Sequence, residues 1–412
     1  MQSHHNYYTR LRVVLYYKNS KSTVLFINYF INKKSFTFLK LRDFMIKDKK
    51  LVKDLLIFDA HCDTANVLYD ASSYFVKENE SHLTIDKARK GGLKAQIFAL
   101  YVNPIYAPFR SAKKALMLYQ ALENKLFNSG NAVKVTSTME MGSALNNDKL
   151  ACWLSLESGH IIENSIEILE LFYNLGIRAM TLTHNKNTDW ADSSGDKPKH
   201  DGLTKFGKKV IVKMNKMGMA IDVSHSSDET VEDVLEISSK PIMASHSCAR
   251  ALCDIPRNIS DDLIAEIANR NGYIGVNFWP GFLKKDVYNQ LMNNIEKNSD
   301  WFEKEIEGNE GDPDIVNKAE VGLYEKIVKG NDKVNLNSII DHIAHIADVG
   351  GINCVGLGSD FDGIPSTPTD LTDVSCYPLL VNGLSYRGFK ENEIKKIMGL
   401  NLFNFFKNFD YK

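Results

Sequence analysis

Two histidines end two consecutive apolar runs. Residues 219–223, MAIDV, lead into Ser224-His225, and residues 241–244, PIMA, lead into Ser245-His246. Between them Val231, Val234 and Leu235 recur at i, i+3, i+4 behind Ser227 or Asp228, the spacing of a capped helix with one buried face. A strand, a helix and a second strand so closely spaced make a βαβ unit with parallel strands and a right-handed crossover. Parallel strands end at one edge of a sheet, so His225 and His246 stand side by side there as candidate metal ligands. Either histidine alone reads better as a core or capping residue; the pair asks for further donors.

Those donors end other apolar runs. His61 and Asp63 follow residues 55–60, two positions apart, so both side chains leave a strand on one face and can share an ion. Glu157 follows residues 150–156, and its two oxygens can bridge divalent ions about 3.5–4 Å apart, the spacing of paired-metal hydrolysis. An interior salt bridge is the plainer reading of Glu157, but no Lys or Arg stands at the other strand ends to serve it. Two sites then share this residue: His61 and Asp63 on one side, His225 and His246 on the other. Nitrogen and oxygen donors with open positions favour two Zn2+ ions, with Mn2+ or Co2+ as substitutes. Two dications against two carboxylates leave positive charge, which draws an anionic or carbonyl-bearing substrate. His184, after residues 177–183, is surplus to both sites; it can donate a hydrogen bond to an oxyanion, or else is simply oriented by a neighbour such as Glu157. Arg257, in DIPRNIS, offers a planar fork for a substrate carboxylate, or else pairs locally with Asp254 or Asp261. Asp360, in GLGSDFDG with Asp362, can take a proton from water and deliver it to a leaving amine. Cys248 and Cys253 lie near His246 at a spacing that matches no zinc motif.

The donors recur because their strands do. Eight apolar runs of strand length, residues 55–60, 94–102, 150–156, 177–183, 219–224, 241–245, 273–278 and 354–359, recur along the chain. Stretches of helical spacing lie between them at 111–127, 166–173, 204–217, 228–237, 261–269 and 336–349, and an amphipathic stretch at 390–406 closes the chain. The alternation predicts an α/β fold, a (β/α)8 TIM barrel rather than an open doubly wound sheet, since no glycine-rich phosphate loop follows the first run. Barrel chemistry sits where strands end, and six of these ends carry a ligand or an acid–base group. Residues 281–335, rich in Lys, Glu and Asn, exceed a usual strand-to-helix link and are expected to add helices, as a lid or as a homodimer contact.

Residues 1–50 read as an N-terminal extension to a hydrolase barrel at 51–412. Asp43 is the only acidic residue among the first 44, the apolar stretch 24–31 is too short to span a bilayer, and Met45 is a candidate start. With 412 residues, 44% of them hydrophobic and 25% charged, the chain is large enough for one such barrel. A net charge of -1 provides no footprint for nucleic acid or an anionic membrane, which leaves a small molecule as the substrate. The six cysteines form no paired framework and read as the reduced thiols of a cytoplasmic protein.

The segments FDAHCDT, SLESGH, LTHN followed by ADSS, IDVSH, ASHSCARAL, IPRNISDD and GLGSDFDG resemble, in consistent order from about Phe58 to Gly363, those of the membrane (renal) dipeptidase family. These are zinc dipeptidases among the amidohydrolase-like barrels. The resemblance implies His61, Asp63, Glu157, His225 and His246 as zinc ligands, His184 on the carbonyl oxygen, Arg257 on the substrate and Asp360 as the acid–base group. It implies cleavage of dipeptides by a hydroxide that bridges two zinc ions. A barrel hydrolase acting on lactones, N-acyl amino acids or phosphotriesters is the alternative, although Arg257 argues for a free carboxylate; a non-catalytic binding barrel is a third. The sequence departs from the family where Phe282 replaces a tyrosine near the substrate, and in the length of the 281–335 insertion. Its C-terminus, NLFNFFKNFDYK, has no hydrophobic tail, so the lipid anchor of animal members is not implied.

Overall fold

The structure is a computed structural model describing residues 49–70, 80–327 and 334–410, with two short strands nearer the N-terminus. The chain divides into two units, Met1–Lys47 and Asp48–Lys412. In the first, Arg10–Leu11 pairs antiparallel with Tyr29–Phe30. The rest of the expected extension up to residue 48 lies outside the described residues.

The second unit is the expected barrel. Its eight strands are β1 (Ile57–Cys62), β2 (Leu93–Tyr101), β3 (Leu150–Glu157), β4 (Ile177–Thr181), β5 (Ala220–Asp222), β6 (Met243–Ala244), β7 (Tyr273–Val276) and β8 (Val355–Leu357). All neighbours run parallel, and the ring closes where Leu357 of β8 pairs with Asp59 of β1. A further strand, Ala132–Lys134, pairs with the start of β3; three residues are too few to show a period in the sequence. Every residue of β1 and β3 is buried, as strands covered on both faces require. Phe58, Trp153 and Tyr273 meet Phe405 and Phe406 of the C-terminal helix Asn401–Phe406 in one core cluster, with Trp153 and Phe406 rings 4.3 Å apart. Each such side chain taken out of water contributes about 1.5–3 kcal/mol. That core fills the barrel under the strands' first halves and leaves their ends for polar groups.

The expected crossover helices form, and all but Ser111–Lys125 start with a capping side chain. In α1 (Asp228–Ile237) the Ser227 hydroxyl accepts from Thr230 N, and Val231, Val234 and Leu235 are buried. Residues 281–335 do add helices: Pro280–Leu283, Lys285–Lys297, Ser299–Ile306 and α2 (Pro313–Ile327). Among the described residues no helix is long and apolar enough to cross a membrane.

Five strands are shorter than their apolar runs predict: β4 and β7 end two residues early, at Thr181 and Val276, and at the other three β5 stops at Asp222, β6 at Ala244 and β8 at Leu357. Buried carboxylates replace the ladder at these last three. Asp222 Oδ1 accepts from Ser224 N at 3.0 Å and Ser245 N at 2.9 Å, while its Oδ2 accepts from the hydroxyls of Thr181 at 2.6 Å and Ser245 at 2.5 Å. Asp59 accepts from His61 N at 3.3 Å, from Ser359 N at 2.9 Å and from the Tyr377 hydroxyl. One acid therefore ties together the ends of β4, β5 and β6, and the other ties β1 to the end of β8. Freed from pairing, the chain can turn sharply and aim its next side chain over the mouth.

Candidate metal centre and active site

His61, Asp63, Glu157, His225 and His246 converge at the strand ends, all of them buried. Their donor atoms fall into triads within 4.8 Å: His61, Asp63 and Glu157; Glu157, His225 and His246; and His61, His246 and Asp360. Glu157 stands at the centre. Its Oε2 lies 3.4 Å from His61 Nε2, which is also 3.4 Å from Asp63 Oδ2; its Oε1 lies 3.5 Å from Nε2 of both His225 and His246. Each carboxylate oxygen thus faces a different cluster. Ser158, His225 and Asp360 hold positive φ values of 94°, 66° and 62°, strained backbone that costs on the order of 1–3 kcal/mol each and that the surrounding barrel enforces. Gly363 passes so close beneath that a Cβ there would stand 2.0 Å from Asp63 Oδ2 and 2.5 Å from Asp360 Oδ1.

The hydrogen bonds around the imidazoles show what the centre is built to hold. Ser245 Oγ gives its proton to Asp222, so it accepts from His246 Nδ1 at 2.7 Å; Asn185 Oδ1 accepts from His225 Nδ1 at 3.2 Å. Both rings therefore present a lone pair on Nε2, and these two atoms are 2.9 Å apart. Two facing lone pairs repel unless a cation lies between or beside them. Burial, with Arg257 and His61 nearby, keeps both rings neutral far below the ordinary histidine value. His61 Nε2 is buried with no hydrogen-bond partner, as is Asp63 Oδ1. Burial disfavours a charged His61, yet Glu157 and Asp63 raise it well above its ordinary value, a field that demands positive charge. The donor set suits divalent metal ions.

Acid should empty the two halves of this centre differently. Burial, then the charge of Glu157, push the Asp63 carboxyl up to about 6, so below that pH it must lose a proton before it can bind. His225 and His246, shifted downward, remain neutral there. Between pH 7 and pH 5 the Asp63 half, where His61 must also give up a proton, should lose at least about tenfold in zinc affinity, and the His225–His246 half much less. Competition titration at the two pH values checks this, and equal weakening of both ions would reject the assignment.

The other sequence-predicted residues also reach the mouth. His184 Nε2 lies 3.9 Å from Glu157 Oε1, and its ring is 4.2 Å from that of His225 and 4.5 Å from that of Tyr101. Burial, followed by Arg257, lowers its pKa to about 3. Arg257 has neither of its possible local partners, since Asp254 pairs with Lys285 at 2.6 Å and Asp261 with His345 at 2.8 Å. Instead its guanidinium donates to Ser247 Oγ and to the His246 carbonyl, both at 2.7 Å, and lies 5.1 Å from the centre of the Phe282 ring. Asp360 accepts from Asn277 Nδ2 at 2.9 Å on Oδ2, leaving Oδ1 3.8 Å from His61 Nε2. Burial raises its carboxyl to about 7, with His61 drawing it down and Asp63 pushing it up. Asp362 is not at the centre: it accepts from Thr64 Oγ1 at 2.7 Å, Ser81 Oγ at 2.7 Å and His82 N at 2.6 Å. Cys248 donates to the Asn277 carbonyl and belongs to none of the donor triads.

Sequence reasoning missed Asp59, Asp222, Asn185, Asn277 and Tyr101. The first two had a signal: each is a charged residue inside an otherwise apolar run, two or three positions before a ligand histidine. Asn185 follows His184 directly in the chain. Asn277 and Tyr101 stand at ends of strands for which no chemistry was read.

A closed parallel barrel whose rim holds two donor clusters around one shared carboxylate defines a metal-dependent barrel hydrolase. The comparison with known families narrows this class. Residues 45–411 match the membrane dipeptidase family, peptidase family M19, and the chain belongs to it: a metallopeptidase acting as a dipeptidase. It is 30% identical over 383 residues to an uncharacterized dipeptidase of Schizosaccharomyces pombe, covering 87% of this chain and 82% of that protein. It is 28% identical over 379 residues to Dipeptidase 3 of Macaca fascicularis, covering 89% and 68%. The chain spans about two thirds of the length of the mammalian relatives it matches. Among solved structures, that of the probable dipeptidase PvdM from Pseudomonas aeruginosa is similar with a TM-score of 0.75 at 25% identity, covering 89% of this chain and 98% of that one.

Proposed function

We propose that the chain is a dinuclear zinc dipeptidase, with Mn2+ or Co2+ as substitutes, working on small dipeptides in the cytoplasm. The observation that carries the metal count is the split of Glu157, one oxygen toward His61 and Asp63 and the other toward His225 and His246. Two divalent ions held there supply a Lewis acid for the scissile carbonyl and acidify a water to near-neutral pKa. The chain's own groups do the rest. His184, neutral and carrying an N–H, donates to the oxygen of the carbonyl as negative charge grows on it. Asp360, with its carboxyl raised to about 7, holds a proton near neutral pH and passes it to the departing amine; Asn277 pins its Oδ2 so that Oδ1 faces the centre. Arg257 is a buried cation with no carboxylate in ion-pair distance among the described residues, which suits it to the substrate's C-terminal carboxylate. All six cysteines are free thiols, in keeping with a reducing compartment.

The test joins metal analysis to a substrate panel. Purified protein is expected to hold two ions per chain and to turn over dipeptides but neither paraoxon nor homoserine lactones. Fewer than two ions, with no dipeptide hydrolysis after zinc or manganese is added, overturns the proposal.

A further inference from the structure

The insertion brings a charge to the mouth that hydrolysis itself does not require. Helix α2 lies against the link that follows β2, where Asn103 Nδ2 donates to Glu320 Oε2 at 2.6 Å and to Asn317 Oδ1 at 3.3 Å, and the Tyr106 hydroxyl donates to Asp314. Glu320 is half-buried, and burial raises its carboxyl although the Asn103 bond opposes that. Lys186 is the cation that acts on it, but Lys186 pairs with Asp196 at 3.8 Å; among the described residues no cationic side chain reaches ion-pair distance of Glu320.

This carboxylate belongs to the active-site mouth. Asn103 stands two residues past Tyr101, the last residue of β2, which lies opposite Glu157 in the β2–β3 register and packs its ring on His184 at 4.5 Å. Burial, then Glu320, then Glu157 and Asp63 push the Tyr101 phenol well up, so this ring feels the charges of the insertion and of the metal centre together. In a ring of eight strands β2 and β6 are diametrically opposed. Arg257 follows β6 and Glu320 sits over the end of β2, so the mouth carries a fixed cation on one side and a fixed anion on the other. A dipeptide with its C-terminal carboxylate on Arg257 directs its N-terminal residue toward Glu320. The α-ammonium is only one carbon from the scissile carbonyl, whereas the four-carbon stem of a lysine carries its charge well beyond it.

We propose that Glu320 is a specificity-determining residue: its second carboxylate oxygen receives the cationic side chain of an N-terminal lysine or arginine of the substrate. This rests on the dipeptidase reading above and goes beyond it. A charge-assisted hydrogen bond of this kind corresponds to about tenfold or more in kcat/KM. The experiment compares Lys-Ala, Ala-Ala and Glu-Ala as substrates for the zinc-loaded wild type, Glu320→Gln and Glu320→Lys, each checked for metal content and thermal melting. Wild type is expected to favour Lys-Ala over Glu-Ala by about tenfold, E320Q to lose that preference through KM, and E320K to invert it. E320Q keeps the size of the side chain and an acceptor for Asn103, so it decides the matter if E320K does not fold. A wild type that cleaves none of the three overturns the dipeptidase reading and this inference together. A wild type that cleaves all three alike, or an E320Q that slows all three by one factor, leaves the dipeptidase intact and reduces Glu320 to a clamp for α2.

Discussion

Glu157→Gln is expected to empty both metal sites and to lower dipeptide turnover by at least about 10⁴-fold, the scale set by returning an acidified water to its ordinary pKa. The side chain keeps its volume but loses its charge and one of its two acceptors. Oε2 serves the His61 and Asp63 cluster at 3.4 Å from His61, and Oε1 serves His225 and His246 at 3.5 Å from each. An amide turned either way presents N–H groups to one cluster, where lone pairs on a metal ligand are needed. Charge matters as much as geometry, because Glu157 is the largest of the influences that hold His61 positive against burial. Elemental analysis after dialysis, with turnover of Ala-Ala at saturating zinc, checks the outcome. A variant that retains two ions per chain and hydrolyses within tenfold of wild type would remove the bridge from the mechanism.

His184→Ala carries the second-largest expected effect and has the opposite signature. His184 belongs to none of the donor triads, so both ions should stay. What disappears is a neutral N–H beside the scissile carbonyl, and losing one oxyanion donor lowers kcat by on the order of 10²–10³-fold. The pKa of about 3 gives this a pH dimension: the ring stays uncharged across the working range, so its contribution should be flat from pH 5 to pH 9. His184→Gln, which can still donate, is expected to recover part of the loss. Near-normal kcat in the alanine variant, with metal retained, would show that His184 does no more than pack against His225 and Tyr101.

The barrel and its donors were legible for one reason. In this fold ligands follow strands, so a reader who finds the apolar runs also finds His61, Glu157, His184, His225, His246 and Asp360 at their ends. Arg257 was only half legible. Asp254 and Asp261 are its neighbours in sequence, but Lys285 and His345, 31 and 84 positions away from them, take those acids and free it. The docking of α2 on the link after β2 was not legible either. It depends on Asn103 meeting Glu320 across 217 positions, and helical periodicity says which face is apolar without saying where it lands. The lengths of β5, β6 and β8 were overestimated because apolar patterning reports burial, and these strand ends are buried while their amides bond to carboxylates instead of strands.

Asp59 and Asp222 also set terms for anyone who would transplant this mouth onto another scaffold. The imidazoles and acids that face the ions can be copied as a list, but their bearing is inherited from two acids hidden one layer below, each gripping neighbouring rungs. A graft that carried the visible donors and left those two behind would reproduce the parts while losing the aim.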